Sequence, residues 1–126
     1  MRAVAYRVQA DDGRGPWRPG FSHTWIEGDA PAGRLTETLM DLLPLSTLRA
    51  LPLGMTYGSA CRTVEALGRW FTACERRRLA QLGFYPVRVN ADVVLAESEW
   101  QLFIGRRKPF NQGATRLRWD RMGVTA

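Results

Sequence analysis

Two carboxylates placed one residue apart are the first candidates for acid–base or electrostatic chemistry in the sequence. Glu97 and Glu99 flank Ser98 just before a predicted strand. Side chains two positions apart point to the same side of an extended chain, so both carboxylates can face one ligand. The same pair is also typical of a solvated turn, and the sequence alone leaves both interpretations open.

An arginine within the first predicted strand is a candidate for anion binding. Arg7 alternates with Tyr6 and Val8, so its guanidinium lies either on the exposed face of the strand or in a cleft. In a cleft, its planar fork suits a phosphate or a carboxylate. Arg14 follows in a segment rich in glycine and proline, where the backbone can approach a ligand closely and the arginine can pair with phosphate. A rigid packed loop explains that segment nearly as well.

Hydroxyl groups ahead of a predicted helix form a further candidate site. Tyr57 and Ser59 lie in a short extended piece, and their hydroxyls and the nearby free amides could bind an anion at the helix N-terminus. The simpler interpretation is that Ser59 or Thr63 caps the helix.

Other classes of site lack the residues they need. His23 is the only histidine and Cys61 and Cys74 are the only cysteines. That is too few for a structural zinc site, and a Ser-His-Asp triad would depend on His23, so we expect no metal and no triad. The sequence has no P-loop and no GxGxxG fingerprint after a strand. It also has no run of about eighteen apolar residues and no signal peptide, so we expect a cytoplasmic protein.

The net positive charge of the chain comes entirely from its second half. The net charge is +6, from seventeen arginines and one lysine against twelve acidic residues. Residues 1–60 carry six basic and six acidic side chains, whereas residues 61–126 carry twelve basic and six acidic ones. Such an excess favours an anionic partner: a nucleic acid, a nucleotide phosphate or an acidic protein. Solubility and arginine-rich codon usage explain it equally well.

The pattern of elements predicts a single α+β domain over residues 1–126, with a mostly antiparallel, curved sheet and two or three short helices. The predicted strands are 3–9, 54–58, 84–89, 93–96, 100–104 and 116–119. The predicted helices are 34–43, 63–71 and 72–82. A long loop rich in glycine, proline and aromatic residues covers 13–33. Thr72 and Glu75 have the spacing of a capping box, and Gly83 is the expected end of that helix.

Taken in chain order, these candidates resemble the ADP-ribosyltransferase family. The matching features are Arg7 on the first strand, Tyr57 and Ser59 on a strand before a helix, and Glu97-Ser98-Glu99 entering a later strand. Residues 96–110 are similar to that family's ExE strand and the basic turn after it. The resemblance implies a split-sheet fold, NAD as the cofactor and mono-ADP-ribosyl transfer to a host target.

The resemblance also implies a role for each matching residue. Arg7 would hold the NAD phosphates, and Tyr57 or Ser59 would line the nicotinamide pocket. Glu99 would be catalytic, because it would bond the nicotinamide ribose and steady an oxocarbenium-like transition state, and Glu97 would meet the acceptor. We add Arg14 as a second cofactor-binding arginine.

An alternative register shifts the acidic motif by two residues. Gln101 and the apolar pair after it could take the place of the family's glutamate and the apolar pair that follows it. A neutral amide donates and accepts hydrogen bonds but brings no negative charge to a developing cation. In this register the fold would be an inactive or repurposed binder.

A second resemblance covers most of the chain. The sequences of residues 6–9, 13–17, 57–71, 82–84 and 101–103 are similar to a group of small phage and prophage proteins. It implies a phage protein in the cytoplasm of a bacterial host, and it brings no activity with it.

Two further functions are consistent with the sequence. One is a non-enzymatic, anti-CRISPR-type phage protein that inhibits a host protein or protein–nucleic-acid complex, with exposed arginine and tryptophan as anchors. The other is a nucleic-acid-binding domain, with Arg106, Arg107 and Lys108 on the phosphates and nearby aromatic residues for stacking. The alternation of those aromatic residues within strands is more typical of a core.

Overall fold

The computed structural model describes residues 3–16, 51, 53–98 and 101–119. In chain order its elements are β1 (Ala3–Gln9), β2 (Thr56–Ala60), α1 (Val64–Trp70), α2 (Ala73–Gln81), β3 (Tyr85–Ala91), β4 (Val93–Glu97), β5 (Leu102–Arg106) and β6 (Thr115–Arg116). The predicted helix 34–43, and the predicted loop from residue 17 onward, lie outside the described residues. Among the described elements, no helix has the length and apolar character that a membrane span requires.

The described strands form two antiparallel three-stranded sheets, ordered β1-β3-β6 and β2-β5-β4. A single antiparallel bridge joins them, between Tyr6 of β1 and Cys61 directly after β2. The amide of each residue donates to the carbonyl of the other, at N–O distances of 2.8 and 2.6 Å. The prediction of an α+β fold with antiparallel strands is confirmed.

One residue, Asp92, carries the chain from the first sheet to the second, since β3 ends at Ala91 and β4 begins at Val93. The Asp92 amide donates to the carbonyl of Gly105 at 3.0 Å, and its carboxylate accepts from the amide of Arg107 at 2.8 Å. Gly105 lies in β5 and Arg107 follows it directly, so both hydrogen bonds connect Asp92 to the end of β5.

β1 contributes to two apolar clusters, one on each of its faces. The helix-side cluster contains Val8, Cys61, Leu67, Trp70, Phe71, Leu79 and Phe84. The inter-sheet cluster contains Ala5, Ala60, Val87, Val89, Ala91, Leu102, Ile104 and Phe110. Because side chains alternate along a strand, Arg7 shares the face of Ala5 and enters the layer between the sheets.

Side-chain caps define both helices. Thr63 Oγ1 accepts from the amide of Ala66 at 3.0 Å at the start of α1. The predicted capping box of α2 is confirmed: Thr72 Oγ1 accepts from the Glu75 amide at 3.2 Å, and the Glu75 carboxylate accepts from the Thr72 amide at 2.9 Å. Gly83, with φ of +90°, follows the C-cap residue in the left-handed region that glycine adopts without strain.

The last strand is shorter and earlier than its predicted range of 116–119. β6 pairs with β3 through Val87–Arg116 and Arg88–Thr115. The amide of Leu117 still donates to the carbonyl of Pro86 at 2.9 Å. Proline has no N–H to return a bond, so the ladder stops there, an effect that the alternation of residues 116–119 alone does not reveal.

Replacing Thr72 with alanine is expected to lower the free energy of unfolding by about 1 kcal/mol, because the Glu75 amide loses its acceptor. Thr72→Ser keeps the hydroxyl and serves as the control. Urea unfolding of the two variants and the parent chain measures the difference. Equal midpoints for the alanine and serine variants would show that the cap contributes nothing.

Candidate anion-binding site

The guanidinium of Arg7 lies in the layer between the sheets, against an aromatic ring. Its Cζ is 3.8 Å from the centroid of Phe110, a cation–π distance. The residue is only 6% exposed. Among the described residues, neither Nε nor Nη1 of Arg7 has a hydrogen-bond partner. This is unusual because buried polar groups are normally bonded, and an exception calls for a physical reason.

Two glycines allow the backbone to lie close to this guanidinium. A Cβ on Gly58 would be 2.7 Å from Arg7 Nη1 and 3.0 Å from Cε2 of Phe110. A Cβ on Gly15 would be 3.0 Å from Arg7 Nη2. A larger residue at Gly58 would displace the arginine, whereas one at Gly15 would require its guanidinium to move by a few tenths of an ångström. Both glycines therefore help to shape the site.

Two buried polar side chains support the Phe110 segment. Gln9 Nε2 donates to the carbonyl of Phe110 at 3.0 Å. Arg106 is 5% exposed and donates through three nitrogens to three backbone carbonyls, each at 2.9 Å. The acceptors are the carbonyls of Asn90, Pro109 and Gln112. The Cζ of Arg106 is 5.9 Å from the Phe110 centroid, so the ring lies near two guanidinium groups.

The surroundings of Arg7 disfavour its charge. Burial, and secondly the positive charge of Arg106, lower the pKa of Arg7 from its ordinary value to about 10. The guanidinium therefore stays protonated at neutral pH, at a cost in desolvation and repulsion. A negative charge beside it would offset both effects.

A partly open cleft of about 340 Å³ leads to Arg7. Its lining residues are Arg7, Asp12, Gly13, Arg14, Gly15, Thr56, Tyr57, Pro109 and Phe110. Three predicted cofactor-binding residues, Arg7, Arg14 and Tyr57, are thus brought together. The volume lies at the low end of the range for small-molecule sites, about 300–1,000 Å³.

The fourth predicted cofactor-binding residue, Ser59, is engaged with a buried amide. Ser59 Oγ donates to Gln101 Oε1, and Gln101 is 8% exposed. The backbone of Gln101 also closes the turn between β4 and β5. Its backbone N–H donates to Ser98 Oγ at 3.2 Å, and its backbone carbonyl accepts from the Ser98 backbone N–H at 2.8 Å. Gln101, which takes the place of the family's glutamate in the alternative register, therefore lies next to Ser59.

Glu97 is paired at the surface, away from this cleft. Arg62 Nε and Nη2 donate to the two carboxylate oxygens of Glu97 at 2.7 and 2.6 Å. These hydrogen bonds lower the pKa of Glu97 and raise that of Arg62. Tyr57 lies opposite Gly105, which lies opposite Val93 at the start of β4. Glu97 lies opposite Leu102, three residues from Gly105 and thus roughly 10 Å away along β5.

Glu99, the predicted catalytic residue, lies outside the described residues, as does Trp100. The chain on both sides of them is described: Ser98 follows β4 and Gln101 precedes β5. The two residues therefore occupy the connection between these strands.

The predicted nucleic-acid cluster divides in two. Arg106 is buried and bonded to carbonyls, whereas Arg107 and Lys108 are exposed. Of the aromatic residues considered for stacking, Phe103 and Phe110 are buried at 6% and 4% exposure. Both are thus part of the folded interior. The outward basic charge of this segment comes from Arg107 and Lys108.

Sequence analysis did not assign Phe110 or Gly58 to this site. Gly58 does carry a signal, since it stands between Tyr57 and Ser59 and a glycine inside a strand often marks close approach of another group. Phe110 carries no local signal, because its contact with Arg7 depends on how distant strands pair.

Among the described residues, no three His, Cys, Asp or Glu side chains form a group that could hold a metal ion. No protein-family model matches the chain, and no curated protein or solved structure matches it either.

The Glu97–Arg62 pair makes a titration prediction. We expect the Glu97 carboxyl to titrate below 4.5, its ordinary pKa, and Arg62→Gln to return that pKa towards the ordinary value, because both donors are lost. Since the folded pKa is lowered, the pair stabilises the fold above the unfolded pKa, and this contribution disappears as pH falls through the folded pKa.

A ¹³C NMR titration of the Glu97 carboxyl measures this shift. Arg69→Gln, the same charge change on an exposed residue of α1, is the control and is expected to leave Glu97 unaffected. An identical Glu97 titration in the parent chain and in Arg62→Gln would contradict the bidentate pair.

Proposed function

We propose that this chain binds NAD through the Arg7 cleft, as an ADP-ribosyltransferase-like domain. The observation that carries the proposal is the buried guanidinium of Arg7, whose Nε and Nη1 lack hydrogen-bond partners among the described residues. A phosphate oxygen is a strong acceptor for a guanidinium, and two oxygens of one phosphate match its planar fork. The pyrophosphate of NAD supplies such groups together with negative charge.

The energetics of the site favour a ligand over a structural role for Arg7. A structural arginine is normally satisfied by protein acceptors, as Arg106 is by three carbonyls. Arg7 instead has an aromatic face on one side and two nitrogens that no described residue accepts from. Strongly perturbed ionisable groups in clefts are enriched at functional sites. A bound phosphate offsets the burial of Arg7 and its repulsion by Arg106.

The surroundings of the cleft also support a dinucleotide ligand. Tyr57 provides an aromatic surface and a hydroxyl in the lining, and Gly15 leaves room for the backbone to lie near the phosphates. The two sheets joined at one bridge agree with the split sheet that the family resemblance implies. The cleft holds the phosphate-bearing part of the dinucleotide.

For the transfer step we assign Glu99, because the family resemblance gives its position in the motif the role of bonding the nicotinamide ribose. A carboxylate there would stabilise the positive charge that develops on the sugar in the transition state. Gln101 is neutral and is bonded to Ser59, and Glu97 is paired with Arg62. Glu99 is the remaining carboxylate of the motif. Arg107 and Lys108, both exposed, add to the field that attracts an anionic ligand.

Replacing Arg7 with methionine tests the proposal by thermal unfolding with and without NAD. We expect NAD to raise the Tm of the parent chain and to leave that of Arg7→Met unchanged. Without NAD, Arg7→Met is expected to unfold roughly 2–6 °C higher, because a buried charge with unbonded donors is replaced by an apolar side chain of similar length.

Arg106→Met is the matched control, since it removes the other buried arginine near Phe110 and leaves three carbonyls without their donor. Its Tm is expected to fall.

Glu99→Gln is expected to keep the NAD-induced shift and to lose NAD cleavage. Retention of the NAD shift in Arg7→Met, or a large loss of its stability without NAD, would refute the role given to Arg7.

A further inference from the structure

A second arginine at the cleft has its charge balanced by a neighbouring carboxylate. Arg14 Nε is 3.1 Å from Asp12 Oδ2, and the two side chains are 64% and 56% exposed. The backbone amide of Arg14 donates to the other carboxylate oxygen, Oδ1, at 3.0 Å. Both residues line the cleft. The rim of the cleft therefore carries the Arg14 guanidinium together with the Asp12 carboxylate that is already paired with it.

A tight turn after β1 fixes the position of this pair. Gly13 has φ of +88° and its amide donates to the carbonyl of Ala10 at 2.9 Å. The amide of Ala10 donates to the carbonyl of Arg14, also at 2.9 Å. Gly15, the next residue, lies so near Arg7 that an added Cβ would be 3.0 Å from its Nη2. The backbone that carries Arg14 therefore passes close to the guanidinium of Arg7.

The two arginines differ in what binds them. Within the part of the chain that the structure describes, Arg7 has two buried nitrogens without an acceptor, whereas the Nε of Arg14 is paired with Asp12. A ligand with one phosphate can satisfy Arg7 alone. A ligand with two linked phosphates offers a second group to Arg14, which lines the same cleft, and there this phosphate and the Asp12 carboxylate would compete for the same guanidinium. Because the Asp12–Arg14 pair is exposed, it is weak and exchanges readily.

We propose that Arg14 exchanges the Asp12 carboxylate for the second phosphate of the ligand, so that Asp12 is a built-in competitor that sets the affinity of the cleft for diphosphates. This inference rests on the function proposed above, because it assumes that a phosphate binds Arg7. The ligand class is then a linked diphosphate, and Asp12 and Arg14 are the residues that determine the affinity of the cleft for it.

Calorimetric titration of the full chain with inorganic pyrophosphate and with inorganic phosphate tests this exchange. Asp12→Asn keeps an oxygen for the Arg14 amide but removes the charge. We expect it to tighten pyrophosphate binding about two- to fivefold, the range that an exposed ion pair supports, and to change phosphate binding less. Arg14→Gln is expected to weaken pyrophosphate binding. The double variant is expected to match Arg14→Gln, because Asp12 acts only through Arg14.

Asp11→Asn is the matched control. It makes the same charge change one residue away, but Asp11 accepts a hydrogen bond from the Tyr85 hydroxyl at 2.8 Å and does not line the cleft. Its pyrophosphate affinity is expected to equal that of the parent chain. Equal tightening in Asp11→Asn and Asp12→Asn, or tightening in the double variant beyond Arg14→Gln, would overturn the exchange while leaving the Arg7 site intact. Failure of the parent chain to bind either pyrophosphate or NAD would overturn both proposals.

Discussion

A charged guanidinium in the layer between two small sheets is the constraint around which this fold is arranged. Holding Arg7 protonated there costs the folded chain about 3 kcal/mol at neutral pH, since burial and Arg106 lower its pKa from its ordinary value to about 10 and each pH unit corresponds to about 1.4 kcal/mol. The cost is present at pH values below the folded pKa and is relieved as pH rises through it. Contact with the face of Phe110 recovers part of it.

Several features of the fold follow from accommodating this group. The sheets are joined at one bridge, between Tyr6 and Cys61, and the side chain next to that bridge enters the space between them. Gly58 removes the Cβ that would collide with it, and Arg106 holds the segment that carries Phe110. The two buried arginines next to Phe110 illustrate a division of roles. Arg106, with three carbonyl acceptors, maintains a loop, whereas Arg7, whose Nε and Nη1 have no acceptor among the described residues, is available to a ligand.

Local sequence patterns predicted the elements well and the site incompletely. The capping box at Thr72 and the strands at β3 and β4 are encoded within a few residues, and these elements agree with the structure. The alternation around Arg7 could not distinguish an exposed face from the layer between two sheets, because that depends on which strands pair. For the same reason the Ser59–Gln101 hydrogen bond and the Arg62–Glu97 pair, each between distant segments, could not be derived from spacing.

Observation of the Arg7 Nε–H group by ¹⁵N NMR during addition of NAD is the most direct measurement of the central claim. If a phosphate completes the hydrogen bonding of Arg7, its Nε–H resonance shifts saturably with NAD, and exchange of its proton with water slows in the complex. The bonded Nε–H of Arg106 remains nearly unchanged and serves as an internal reference. An Arg7 signal that does not respond while NAD reaches saturating concentrations would contradict the assignment of this guanidinium to a ligand.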